Sequence, residues 1–168
     1  MEDVSLEGKV ALITGGSRGM GREMAMAFAK AGAAGIAVTA AKASDETRED
    51  IDNELAEVVA RIEENGSCGL GLHADVTVWA DCERAVAETV KTFGKLNILM
   101  NHAGKSQRYH GARGVPFWET EPEGWRDVVT TNVVGPYMMA KAAIPTMLNN
   151  GWGRIIITTK NADSQHAE

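Results

Sequence analysis

Cysteine is scarce in this sequence. Cys68 and Cys82 are the only two, and they offer neither a disulfide framework nor a metal-ligand spacing. Cys82 falls on the apolar side of a helical pattern and Cys68 in a glycine-rich approach to a strand, so both are expected as buried or half-buried thiols. His73, His102, His110 and His166 show no ligand spacing either, and no metal site is expected. Positive charge is short as well: 17 basic against 23 acidic residues give a net charge of -6 and a pI near 5.3. That balance removes any broad electrostatic case for a nucleic-acid or anionic-membrane partner. No apolar run approaches the roughly 20 residues that span a bilayer, and Met1-Glu2-Asp3 starts no secretory signal. A cytoplasmic protein is therefore expected, its 168 residues forming one domain with a real core.

What is present is organised around Lys9-Val10-Ala11-Leu12-Ile13-Thr14-Gly15-Gly16-Ser17-Arg18-Gly19-Met20-Gly21. An apolar β-type run ends at Thr14, glycines follow at 15, 19 and 21, and an Ala-rich helical stretch runs on to about Ala31. Glycines allow a sharp turn and a close backbone approach to a pyrophosphate, and the helix that opens there points free N–H groups at the anion. Without its flanks, the same segment reads as a tight strand-to-helix turn. Thr-Gly-x-x-x-Gly-x-Gly between a strand and a helix resembles the cofactor loop of the short-chain dehydrogenase/reductase family. The resemblance implies that Thr14, Gly15, Ser17, Arg18, Gly19, Met20 and Gly21 bind a nicotinamide dinucleotide.

The helix after this turn is expected to face Met24, Ala27, Phe28 and Ala31 inward, and 36–39 reads as the second strand. In a dinucleotide site the end of that strand faces the adenosine ribose, where an acidic residue would repel a 2′-phosphate. Here Ala40 and Ala41 lead to Lys42, and Lys42 with Arg18 can pair with a phosphate. NADP is therefore expected over NAD, although Asp45 and Glu46 lie close by and Arg18 can also be read as a solvated loop residue. Residues 45–64 carry nine acidic and two basic side chains over the apolar stripe Ile51, Leu55, Val58, Val59 and Ile62, a helix with a solvated face. A short third strand over 69–73 leads to Asp75 and Val76, which the resemblance assigns to the adenine pocket. Asp75 or Thr77 can also cap the next helix, expected over 78–93 with Cys82, Val86, Val90 and Phe93 inward.

The fourth strand, 97–100, ends in Asn101-His102-Ala103-Gly104, similar to the Asn-Asn-Ala-Gly of the family. This implies that Asn101 braces the sheet while Ala103 and Gly104 pass beside the nicotinamide ribose. His102, standing where the family has Asn, is expected to be structural. Thr120 and Glu123 have capping-box spacing at the start of a helix, and Trp118 and Trp125 are expected as core or helix-packing aromatics. Asn132, in Asn-Val-x-Gly, is the third match and implies a place in the proton relay.

Tyr137 and Lys141 form a literal Tyr-x-x-x-Lys, but they precede the fifth strand at 153–159, whereas the family's catalytic pair follows it. They are read as a decoy on a helix of about 134–150. Thr159 can supply a hydroxyl near the family's serine position, and Ser164 lies too far along. The resemblance covers about residues 5–159, with a polar tail beyond, and no later Tyr–Lys pair occurs. The edge at the fifth strand would then be exposed, and a homo-oligomer interface only partly present.

The expected fold is a Rossmann-type, doubly wound parallel α/β sheet in order 3-2-1-4-5, C-terminally truncated relative to the family. Two functions remain open. One is NADP(H)-dependent hydride transfer with a small carbonyl compound or secondary alcohol; the other is a noncatalytic nucleotide-binding or interaction module.

Overall fold

The computed structural model describes residues 4–41, 48–106 and 114–159. Lys42, Asp45, Glu46 and Ser164 lie outside them, as do His110 and His166.

Five parallel strands form one sheet in the order β3-β2-β1-β4-β5: β1 Val10–Ile13, β2 Gly35–Ala40, β3 Cys68–His73, β4 Ile98–Asn101 and β5 Arg154–Ile157. The expected order is the observed one. The helices are α1 (Gly19–Lys30), α2 (Arg48–Glu64), α3 (Trp79–Phe93), α4 (Pro122–Val129) and α5 (Gly135–Asn149). A π-helical turn, Thr130–Val134, joins the last two. Parallel neighbours require crossovers, and successive crossovers cover both faces of the sheet.

The two faces sort the apolar residues by strand alternation. Ile13, Ile36, Val38 and Met100 face α1 and α2, where Ala25, Met26, Ala29, Leu55, Val58 and Ile62 close one core. Leu12, Ala37 and Leu99 face α3 and α5 and pack with Cys82, Val86, Met139 and Met147. Buried on both faces, β1 reads as an uninterrupted apolar run.

Several expectations are corrected. Helix α1 begins at Gly19 and buries Ala25, Met26 and Ala29, while Ala27 is exposed. The small alanines let α1 lie close to the sheet, and Met24 and Phe28 cover its flank half-buried. Cys68 is exposed because it opens β3, the edge strand, whereas Cys82 is buried. Neither Asp75 nor Thr77 caps α3: Val78 stands at the cap, with no side-chain bond to the helix. The capping box at Thr120 does not form either. Its hydroxyl donates to the Phe117 carbonyl at 2.7 Å, closing a 3-10 turn, and Pro122 starts α4 after Glu121.

Trp118 and Trp125 are 73% and 59% exposed rather than buried. Helix α4 joins the body through the π-helical turn and through Asp127, which pairs with Lys105 at 2.9 Å, while Trp118 meets Phe117 edge-on at 5.3 Å and both indoles stay largely exposed.

Candidate dinucleotide site

The carboxyl ends of β1 and β4 meet at the point where the chain reverses its order of strand addition, the crevice in which open α/β sheets bind ligands. Thr14 holds the two ends together. Its Oγ1 accepts hydrogen bonds from the backbone N–H groups of His102 and Ala103, both at 3.0 Å, while its own N–H donates to the Met100 carbonyl.

Gly15 then turns with φ +67°, and a Cβ there would stand 2.9 Å from the Ala103 Cα. A Cβ on Gly21 would stand 2.2 Å from the Gly15 carbonyl oxygen. These contacts bring β1, the first turn of α1 and the 101–104 segment to backbone contact, which only glycine permits.

The first N–H groups of a helix have no intrahelical partner. In α1 no side chain caps them and no acidic residue stands in the first turn. With the helix dipole, that leaves a donor set suited to a phosphate. The residues present therefore fit a dinucleotide pyrophosphate.

Ser17 is buried, and its hydroxyl donates to Glu54 Oε2 at 2.9 Å. Arg18, largely exposed, pairs with Glu54 Oε1 at 3.7 Å, and Met20 is also exposed. Glu54 has no signal in the sequence beyond its place beside the α2 stripe.

Asn101 is buried at the end of β4. Its Nδ2 donates to the Pro136 carbonyl at 3.5 Å, tying the sheet to α5, and its Oδ1 has no hydrogen-bond partner. Further ties across the strands come from Thr14 and from Asn97, whose Oδ1 accepts the Val10 N–H at 3.0 Å.

His102 has a structural place. Its Nδ1 lies 3.0 Å from Thr158 Oγ1, linking β4 to β5, and burial holds its pKa below the usual imidazole value. Thr158 was legible in principle. Asn101 pairs with Ile157 in parallel register, so the next residues on each strand are also neighbours.

Asp75 lies past β3 on the same carboxyl side of the sheet. Its Oδ1 accepts from both the N–H and the hydroxyl of Thr77, and its backbone N–H donates to Asp81. Val76 is buried against Gly135. Cys82 beneath it donates to the Val76 carbonyl, and burial together with Asp81 and Asp75 pushes its thiol up to about 11, so it stays protonated.

Asn132 sits on the π-helical turn, a local widening common at functional sites. Its carboxamide clamps Lys105, accepting the backbone N–H and donating to the carbonyl, each at 2.8 Å. Gly104 is adjacent. The structure thus gathers Thr14, Gly15, Gly21, Asn101, Ala103, Gly104 and Asn132 around one sheet end.

Tyr137 is 63% exposed, and Lys141 places its ammonium over the Trp79 ring at 5.0 Å. Thr159 is exposed just past β5. Among the described residues no cluster of metal-ligating side chains occurs, and no helix is long and apolar enough to cross a membrane.

The fold and the glycine turn define a dinucleotide-binding α/β protein. The family profile of short chain dehydrogenases matches residues 9–167, and the chain belongs to that family. This match extends into the polar tail, past the limit of about 159 read from the sequence. The chain is 38% identical over 145 residues to the short chain dehydrogenase tazN of Aspergillus terreus, covering 86% of this chain and 29% of that protein. It is 38% identical over 152 residues to the 2,5-dichloro-2,5-cyclohexadiene-1,4-diol dehydrogenase LinX of Sphingobium indicum, covering 90% and 54%. A crystal structure of a metagenomic short-chain oxidoreductase in complex with NADP superposes with a TM-score of 0.76 at 25% identity, covering 94% of this chain and 63% of that one. The chain spans about half, or less, of the length of these two curated relatives.

Proposed function

We propose that this chain forms the NADP(H)-binding part of an oxidoreductase acting on a small carbonyl compound or secondary alcohol. The observation that carries the reading is the glycine turn, closed on Ala103 and on itself, under an uncapped helix with no acidic residue in its own first turn. The bound NADP of the metagenomic relative and the diol named for the Sphingobium relative support the cofactor and substrate classes.

When bound, the nicotinamide supplies or accepts the hydride. The chain's own residues bind and orient. Thr14, Gly15, Ser17, Gly19, Met20 and Gly21 would surround the pyrophosphate, and Arg18, with Lys42, would meet the 2′-phosphate. Asp75 and Val76 would border the adenine, and Asn101, Ala103 and Gly104 the nicotinamide ribose, with the unpaired Asn101 Oδ1 an acceptor available there. Asn132 would orient the proton path, and Thr159 would offer a hydroxyl.

One observation favours the second reading, a noncatalytic nucleotide-binding module. Both ends of the Asn132 carboxamide are committed to Lys105. Titration calorimetry with NADP and NAD on the chain and on Arg18→Ala tests the cofactor. A preference for NADP that Arg18→Ala erases supports it; equal affinities, or a preference for NAD that survives the substitution, contradict it. Oxidation of NADPH with a panel of ketones and aldehydes, on the chain and on Tyr137→Phe, separates the two functions. Turnover lost in Tyr137→Phe with binding retained would make the literal Tyr-x-x-x-Lys the working pair.

A further inference from the structure

Helices α1 and α2 are joined by a short ladder of charge. Arg18, just before α1, and Arg22, in its first turn, face Glu54 and Glu57, three apart on α2, with N···O distances of 3.7 and 3.5 Å. That spacing puts Glu54 and Glu57 on one face of α2. The rungs differ in position. Glu57 meets Arg22 inside α1, whereas Glu54 reaches the glycine turn itself, with one carboxylate oxygen on the Ser17 hydroxyl and the other toward the Arg18 guanidinium.

We propose that Glu54 sets the discrimination between NADP and NAD by holding Arg18 and placing a carboxylate at the turn. The inference rests on the dinucleotide reading above. An exposed pair at 3.7 Å is weak, so a phosphate can displace it. A 2′-phosphate and the Glu54 carboxylate then compete for one guanidinium, and the doubly charged phosphate also meets the carboxylate's repulsion. NAD carries only a neutral hydroxyl at that position, so Glu54 lowers NADP affinity more than NAD affinity. Ser17 fixes the carboxylate: buried and bonded to Oε2, it keeps Glu54 at the turn after Arg18 leaves.

The test is calorimetric titration of NADP, NAD and adenosine 2′,5′-bisphosphate into the wild-type chain, Glu54→Gln and Glu57→Gln. Circular dichroism verifies folding of each. Glu54→Gln keeps the shape and removes the charge. It is expected to tighten NADP and the bisphosphate roughly three- to fivefold, the upper end of the scale of an exposed charge pair, and NAD by less than about twofold. Glu57→Gln, one rung away, leaves the NADP:NAD ratio unchanged. An unchanged ratio in Glu54→Gln with both cofactors bound, or an equal shift in Glu57→Gln, overturns the proposal while leaving the dinucleotide reading intact. Folded wild type and variants that bind none of the three nucleotides would overturn that reading, and this inference with it.

Discussion

Strands β1 and β5 are both parallel neighbours of β4, yet they live in different surroundings. Every residue of β1 is buried, whereas β5 has one half-buried residue and three exposed ones. The cause is coverage. β1 has α1 and α2 on one side and α3 and α5 on the other, while among the described residues β5 receives α5 alone and leaves Ile157 53% exposed. The turn that would hold the cofactor leaves the fully covered strand, so its glycines are positioned by a rigid support. The exposed edge leads to Thr158, tied to Asn101 and His102, and to Thr159, the hydroxyl expected near the family's serine position. The proposed binding turn springs from the core of the molecule, and the residues expected to do chemistry lie at its margin.

Truncating one apolar side chain on each strand tests this contrast most strongly. Leu12→Ala should cost about 3 kcal/mol, because Leu12 is fully buried and its loss leaves a cavity. Ile157→Ala should cost less than about 1 kcal/mol. Urea unfolding midpoints of the two variants check this, and equal losses would show that β5 is covered in solution.

The tie between β1 and β4 comes next. Thr14→Val keeps the shape but removes the acceptor of two backbone N–H groups, and a loss of about 2 kcal/mol is expected.

A smaller effect should appear with pH at the β4–β5 link. Burial lowers the His102 pKa below 6.5, so the folded state favours the neutral ring. The unfolded chain then binds the proton more readily, and stability rises with pH. This contribution is complete above about 6.5 and is lost as pH falls through the lower folded-state value. Melting temperatures at several pH values should show a decline on the acid side that is shallower in His102→Asn. The smallest effect is expected at Tyr137→Phe, whose stability should stay within about 0.5 kcal/mol of wild type, since the side chain is exposed.

Much of this fold was legible because the strands are short apolar runs bounded by glycine, asparagine or threonine, alternating with helical stripes. Three features were not. The inward face of α1 depends on where the helix starts, and Gly19 rather than Gly21 begins it. The burial of Trp118 and Trp125 depends on whether another element covers them, which local pattern cannot state. Glu54 meets Ser17 from 37 residues away, through the packing of α2 on α1. In the site, the glycine turn and the 101–104 segment were legible because backbone contact demands particular residue types. The partners of Asn132 and His102, by contrast, follow from register and from the π-helical turn.

The turn after β1 is proposed as the dinucleotide site of this chain. Its most direct test is calorimetric titration of NADP into the wild-type chain and into Gly21→Val, with circular dichroism to verify that both are folded. The account predicts saturable binding at one site per chain, abolished in the variant because a side chain at position 21 would displace the Gly15 carbonyl. A folded wild type that does not bind NADP, or a Gly21→Val that binds it equally well, would contradict the account.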